Sequence, residues 1–229
     1  MVVGGFQRTT LSDFPGVLSC IVFTRGCNFR CPYCHNPELV DPVRLAPSIA
    51  WEEITRFLRS RAGRIEGVVV TGGEPTLHED LPERLEELRS MALKVKLDTN
   101  GSSPVALRRL LAEGSADFIA MDLKAPLDSY RRATGASVDT EAIRESLGLL
   151  RASGLPCEIR ITWVPSLLTL EDLLRAAELA RAFDHRVVQA FRSGKTLDPS
   201  LGRDLEPTAA QLAEAASRLA AAGIRVRIR

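Results

Sequence analysis

The sequence has almost no net charge, with 30 Lys plus Arg set against 29 Asp plus Glu in 229 residues. A general grip on nucleic acid needs a clear basic excess, so no RNA or DNA partner is expected. No apolar run approaches the roughly 20 residues that span a bilayer, and no membrane role is expected. Residues 1–16 include Arg8 and Asp13 and no long apolar stretch, so they do not read as a secretory signal, and the cytoplasm is the expected location. Cysteine is scarce. Five residues, an odd number, in a non-secreted chain of this length argue against a disulfide scaffold. No Gly-, Ser- or Pro-rich linker, low-complexity stretch or fixed repeat divides the chain. With 45% hydrophobic and 26% charged residues, 1–229 reads as a single globular domain.

What is present is an alternation of two patterns. Short apolar runs predict strands at Val17–Thr24, Gly67–Thr71, Lys94–Asp98, Phe118–Leu123, Glu158–Val164 and Arg186–Phe191. Amphipathic segments between them predict helices. One covers about Ala50–Ala62 after the possible cap Ser48. Another covers Leu81–Ala92, with Asp80 as N-cap and Glu83 completing a capping-box pattern. Ser103-Pro104 opens a third, Thr140–Ser153 forms a fourth, and Thr169 caps a fifth through about Phe183. Thr208 with Gln211 starts the last, which stops at Gly223, and residues 224–229 read as a short final strand. Six such units imply an α/β fold, a partial (β/α)6 open barrel with parallel strands, two units short of a closed barrel. In such folds chemistry gathers where strands end. Here Arg25–Pro37, Gly72–Pro75, Asp98–Gly101 and Asp122–Lys124 all follow strands and share one rim.

Three of the cysteines lie within eight residues, as Cys27-x3-Cys31-x2-Cys34, followed by His35. A structural zinc site needs four ligands, and His35 beside Cys34 is poorly placed to be the fourth. Three thiolates can instead hold three irons of a 4Fe–4S cube and leave the fourth iron open. Iron–sulfur cluster, zinc and plain structural cysteines are the three readings, the cluster being favoured. Cys20 and Cys157 sit in apolar runs and read as buried, inert strand thiols.

C-x3-C-x2-C after a first strand, with Tyr33 before the last cysteine, resembles the radical S-adenosylmethionine superfamily. The resemblance runs from about Gly5 to Phe191. It implies that Cys27, Cys31 and Cys34 hold a 4Fe–4S cluster whose open iron is chelated by S-adenosylmethionine. It further implies that one electron cleaves the sulfonium to methionine and a 5′-deoxyadenosyl radical, which abstracts hydrogen. Gly72-Gly73-Glu74-Pro75 is similar to the family's GGEP motif, whose backbone meets the methionine amino group; Glu74 could instead fix the loop by hydrogen bonds. Asp98-Thr99-Asn100-Gly101 and Asp122-Leu123-Lys124 resemble motifs of one branch, the activases of glycyl radical enzymes. That likeness implies a cofactor contact for Lys124 and a monovalent cation near Asp98 and Asp122. Arg160 matches a branch position that contacts S-adenosylmethionine. The branch's late histidine is not apparent, and Gln189 stands where it would fall.

Gly5–Thr10, Asp13–Gly16 and residues 34–40 narrow the likeness to activators of anaerobic ribonucleoside-triphosphate reductase. The expected function is therefore an activase that installs a radical on a glycine of a large partner enzyme. A flavodoxin or ferredoxin would supply the electron. Because the partner glycine supplies the hydrogen, no catalytic acid or base is expected. The 16 residues between Cys34 and Trp51 are too few for an inserted ferredoxin-like cluster domain. The alternatives are a radical enzyme acting on a small molecule or RNA base, and a non-catalytic metal-binding protein.

Overall fold

The computed structural model describes residues 1–45 and 47–229. Among them an eight-stranded sheet runs in simple sequence order. It begins with β1 (Val3–Thr10) and β2 (Ser19–Thr24), followed by helices α1 (Pro37–Val40) and α2 (Trp51–Ser60). Then come β3 (Gly67–Gly72), α3 (Leu81–Ser90), β4 (Lys94–Thr99), α4 (Pro104–Glu113) and β5 (Phe118–Asp122). Two helices, α5 (Tyr130–Thr134) and α6 (Thr140–Ser153), lead to β6 (Cys157–Trp163). The chain continues through α7 (Leu170–Leu179), β7 (His185–Ala190), α8 (Ala209–Ala221) and β8 (Arg227–Ile228). Strands β2 to β8 pair in parallel, each with its successor, and β1 pairs antiparallel with β2. The sheet is not closed, so the expected open, mostly parallel architecture is what the chain forms.

One strand was not expected, and two local expectations are corrected. The antiparallel β1 was not legible, because Val-Gly-Gly-Phe-Gln-Arg-Thr-Thr has glycines and polar residues where a strand signal needs alternation. Helix α2 starts at Trp51 with no side-chain cap. Asp80 does not cap α3, because its carboxylate is taken by the terminal ammonium of Met1 and by Arg84. Elsewhere the caps form: Ser103 accepts from the Ala106 N–H, and Thr169 with Asp172 and Thr208 with Gln211 close capping boxes.

Alternation along each strand sets what faces what. Val95 and Leu97 of β4 join Leu85, Leu88, Leu107 and Leu110 of the helices in one apolar cluster. The other face of β4 carries Lys96 and Asp98. Phe14, Val17, Ile21 and Val69 form a separate apolar cluster, with Phe23 and Phe118 packed on it. Parallel strands covered on both faces normally read as continuous apolar runs, so charges at alternate positions of β4 and β6 mark a site.

Candidate active site

The cysteine loop hangs from the end of β2 and is tied down along its length. Gly26 N–H donates to Leu39 O at 2.7 Å, and Gly26 O accepts from Glu74 N–H at 2.8 Å. Arg30 N–H donates to Thr134 O at 2.8 Å, fixing the middle of the loop to α5. The far side is held by the segment after β7. Leu197 N–H donates to Cys34 O at 3.0 Å, and Asp198 N–H to Pro32 O at 2.9 Å. His35 stacks on Phe191 at 6.0 Å and donates through Nε2 to Arg192 O at 2.7 Å. His35 thus serves as a strut, in keeping with its poor placement as a fourth ligand.

A cavity of about 310 Å³ opens over the rim of the sheet. Cys27, Cys31, Tyr33 and Cys34 line one side of it, and Gly72, Gly73 and Glu74 another. Asp98, Asp122 and Lys124 line its floor, with Thr162 and Gln189 beside them. Four loops far apart in sequence therefore meet at one place. Arg160 does not line this cavity; it lies beneath, gripping both aspartates. Cys20 and Cys157 lie elsewhere in strands. Cys20 is buried with its thiol donating to Arg8 O at 3.0 Å, and Cys157 is half-buried rather than fully buried.

Burial pushes the Cys27 thiol up to about 12, and that of Cys31 to about 11 despite the opposing charge of Lys124. Without metal both are thiols at neutral pH, and binding metal must expel their protons. Asn100 Nδ2 reaches to 3.9 Å from Cys27 Sγ and donates to Asn28 Oδ1 at 2.9 Å.

The GGEP turn is built by packing. Gly72 has φ +116°, and a Cβ there would lie 2.4 Å from Thr24 N. A Cβ on Gly73 would lie 1.9 Å from Gly26 O, immediately before Cys27. Both glycines are required because this turn presses against the root of the cysteine loop. Glu74 is buried, at 1% exposure. Its carboxylate accepts from Thr76 N–H at 3.1 Å, Thr99 Oγ1 at 2.7 Å and Asn100 N–H at 2.6 Å. These bonds tie the GGEP turn to the segment after β4, while Glu74 also lines the cavity.

Beneath the cavity two carboxylates meet three cations. Arg160 donates through Nη1 to Asp98 Oδ2 at 2.9 Å and through Nε to Asp122 Oδ1 at 2.7 Å. Lys124 Nζ donates to Asp122 Oδ2 at 3.1 Å, and Lys96 Nζ to Asp98 Oδ1. Burial alone would raise the Asp122 carboxyl, but Arg160 and Lys124 hold it well below the usual carboxylate range. Removing one partner of such a buried pair typically costs about 3–5 kcal/mol. Lys96 escaped the sequence reading; its signal was a charge at a sheet-interior position of Lys-Val-Lys-Leu-Asp.

Among the described residues, no three His, Cys, Asp or Glu side chains converge closely enough to share one ion. A tetrahedral zinc site gathers four ligands on one ion, whereas the thiolates of a cube each take a different iron. Residues 21–180 match the model of the Radical SAM superfamily. The chain belongs to this family. Membership implies a 4Fe–4S cluster and S-adenosylmethionine, and three thiols on one wall of a charged cavity fit that pair. Among relatives, a Methanocaldococcus jannaschii protein assigned as a glycyl-radical enzyme activating enzyme is 29% identical, over 86% of this chain and 82% of its own. A Pyrococcus horikoshii protein assigned as a GTP 3′,8-cyclase is 34% identical over 63% of this chain but 45% of its own length. Among solved structures, SuiB of Streptococcus suis has a TM-score of 0.68 at 16% identity. That likeness, over 93% of this chain, shows the fold alone, and this chain spans about half the length of SuiB. No helix among the described residues is long and apolar enough to cross a membrane.

Proposed function

We propose that the chain is an activase that generates a radical on a backbone glycine of a partner enzyme, an anaerobic ribonucleoside-triphosphate reductase being the first candidate. The observation that carries this reading is the likeness to the Methanocaldococcus jannaschii relative along most of both chains. The cyclase shares less than half of its own length. The cluster, when bound, supplies reductive cleavage of S-adenosylmethionine to methionine and a hydrogen-abstracting 5′-deoxyadenosyl radical. Cys27, Cys31 and Cys34 would hold three irons and leave the fourth for the cofactor. Gly72 and Gly73 would present backbone to its amino group, and Glu74 keeps that turn in place. Tyr33 would border the cofactor from the cysteine side, and Asp98, Asp122 and Lys124 from the floor. Arg160 orients the two aspartates. The partner's glycine gives up the hydrogen, so no side chain here need move a proton. A reduced flavodoxin or ferredoxin is the proposed electron donor.

A second reading, with a small molecule or an RNA base as hydrogen donor, is favoured by the local identity to the cyclase. One experiment separates them. Cluster-loaded protein, reductant and S-adenosylmethionine are mixed with the reductase of the same genome, and the EPR spectrum is recorded. The activase reading expects a glycine-centred doublet that disappears when the candidate partner glycine is changed to alanine. Release of 5′-deoxyadenosine stimulated by GTP or RNA, with no glycyl signal from any glycyl radical enzyme of that genome, would reject it.

A further inference from the structure

We propose that Lys96, working with Arg160, supplies from within the chain the positive charge that a free monovalent cation would otherwise bring to Asp98 and Asp122. S-adenosylmethionine binding would then need no alkali cation. The inference rests on assigning the cavity to S-adenosylmethionine.

Four carboxylate oxygens are available on the two aspartates, and each already faces a side-chain cation. Asp98 Oδ1 faces Lys96 Nζ, and Asp98 Oδ2 faces Arg160 Nη1 at 2.9 Å. Asp122 Oδ1 faces Arg160 Nε at 2.7 Å, and Asp122 Oδ2 faces Lys124 Nζ at 3.1 Å. A free cation on these carboxylates would have to share an oxygen with one of these groups or displace it, and in either case stay beside the others, where like charges repel.

Lys96 is the member least able to make way. It stands two residues before Asp98 on β4, so both side chains project from the same face of the strand. Its side chain is 2% exposed, with Nζ above the Phe118 ring at 5.9 Å from the centroid. Phe118 packs on the apolar cluster of Phe14, Val17, Ile21 and Val69. So placed, Lys96 Nζ has the Asp98 carboxylate as its partner in place of water. Three cations against two carboxylates leave this ion network one positive charge in excess, beneath a cavity whose wall also carries the Glu74 carboxyl. Lys96 does not line the cavity. It acts through Asp98 and is a positioning residue.

The test measures S-adenosylmethionine affinity of the cluster-loaded protein by anaerobic calorimetry. Buffers contain choline chloride alone, or potassium or ammonium chloride at the same ionic strength, about 0.1 M throughout. The wild type should bind with less than about a twofold change in Kd across the three salts. Lys96→Met should bind roughly tenfold or more weakly in choline and recover in potassium or ammonium, which a purely structural role for Lys96 would not produce. A wild type that needs potassium would overturn the inference and leave the cofactor assignment standing; this arm decides even if the variant does not fold. A Lys96→Met protein that binds normally in choline, or whose weak binding neither cation restores, would also overturn it. A wild type that binds no S-adenosylmethionine in any salt would remove the cofactor assignment, and the inference with it.

Discussion

Gly73 shows how much a single hydrogen atom decides. In its place even a methyl group would overlap Gly26 O, at 1.9 Å. Sequence reasoning expects a side chain at this position to block only the approach of the cofactor. The structure makes the same glycine a spacer between the GGEP turn and the cysteine loop, so one change should disturb both. Gly73→Ala is expected to lose at least about half of the iron retained by the wild type after anaerobic reconstitution, as well as reductive cleavage. Iron analysis beside Cys27→Ala and Cys157→Ala gives the scale. Cys27→Ala should lose most of the metal, and Cys157→Ala, in β6 and away from the cavity, should keep it. Full iron in Gly73→Ala would return that residue to a role at the cofactor alone.

Short elements between the main strands set the geometry of the cysteine loop. Helix α5 has five residues, too few for its pattern to stand out in the sequence. Yet Tyr130 packs edge-on against Phe29 with ring centroids 6.4 Å apart, and Thr134 O accepts from Arg30 N–H. Gly135 ends α5 at φ +62°, where a Cβ would sit 2.5 Å from Arg30 O. In the long α7, the Thr169 capping box closes the start of the helix, and Asp172 in that box also accepts from Arg132 of α5 at 2.6 Å, a bond that Thr169→Ala leaves in place. The two helices should therefore fail differently. Thr169→Ala should cost about 1 kcal/mol and lower Tm by roughly 2–4 °C, with iron content unchanged. Gly135→Val should reduce iron content more than its loss of Tm would suggest. Thermal unfolding paired with iron analysis reads both, and equal iron in the two variants would deny α5 its role.

Across the whole molecule, the ion network makes stability depend on acid. Asp122 is held below its ordinary carboxyl value in the fold, while in the unfolded chain it titrates near about 3.9. Its contribution is fully present above that unfolded value and is lost as pH falls toward the lower folded one. Metal-free protein should therefore lose stability steeply below about pH 4. Asp122→Asn should be less stable at pH 7 and show a flatter acid limb, because it has no carboxylate to protonate. Urea midpoints between pH 7 and 3 would show this, and parallel acid limbs for the two proteins would assign the loss to other carboxylates.

The sequence by itself determined the alternation of strands and helices, since apolar periodicity and end caps such as Thr169, Ser103 and Thr208 are local properties. It also brought out the rim motifs, because strand ends in such a sheet fall on one side. Tertiary structure alone decided the rest. Nothing local says that Arg160 bridges aspartates 62 and 38 residues away, or that the segment after β7 straps the cysteine loop through Leu197, Asp198 and His35. Lys96 reads as a polar break in a strand until the sheet brings it beneath the cavity, and Gly73 as a turn residue until Gly26 lies against it. Each depends on parallel strands from distant parts of the chain lying side by side, where a buried charge must find its partner across the sheet and two backbones can come as close as a missing Cβ permits.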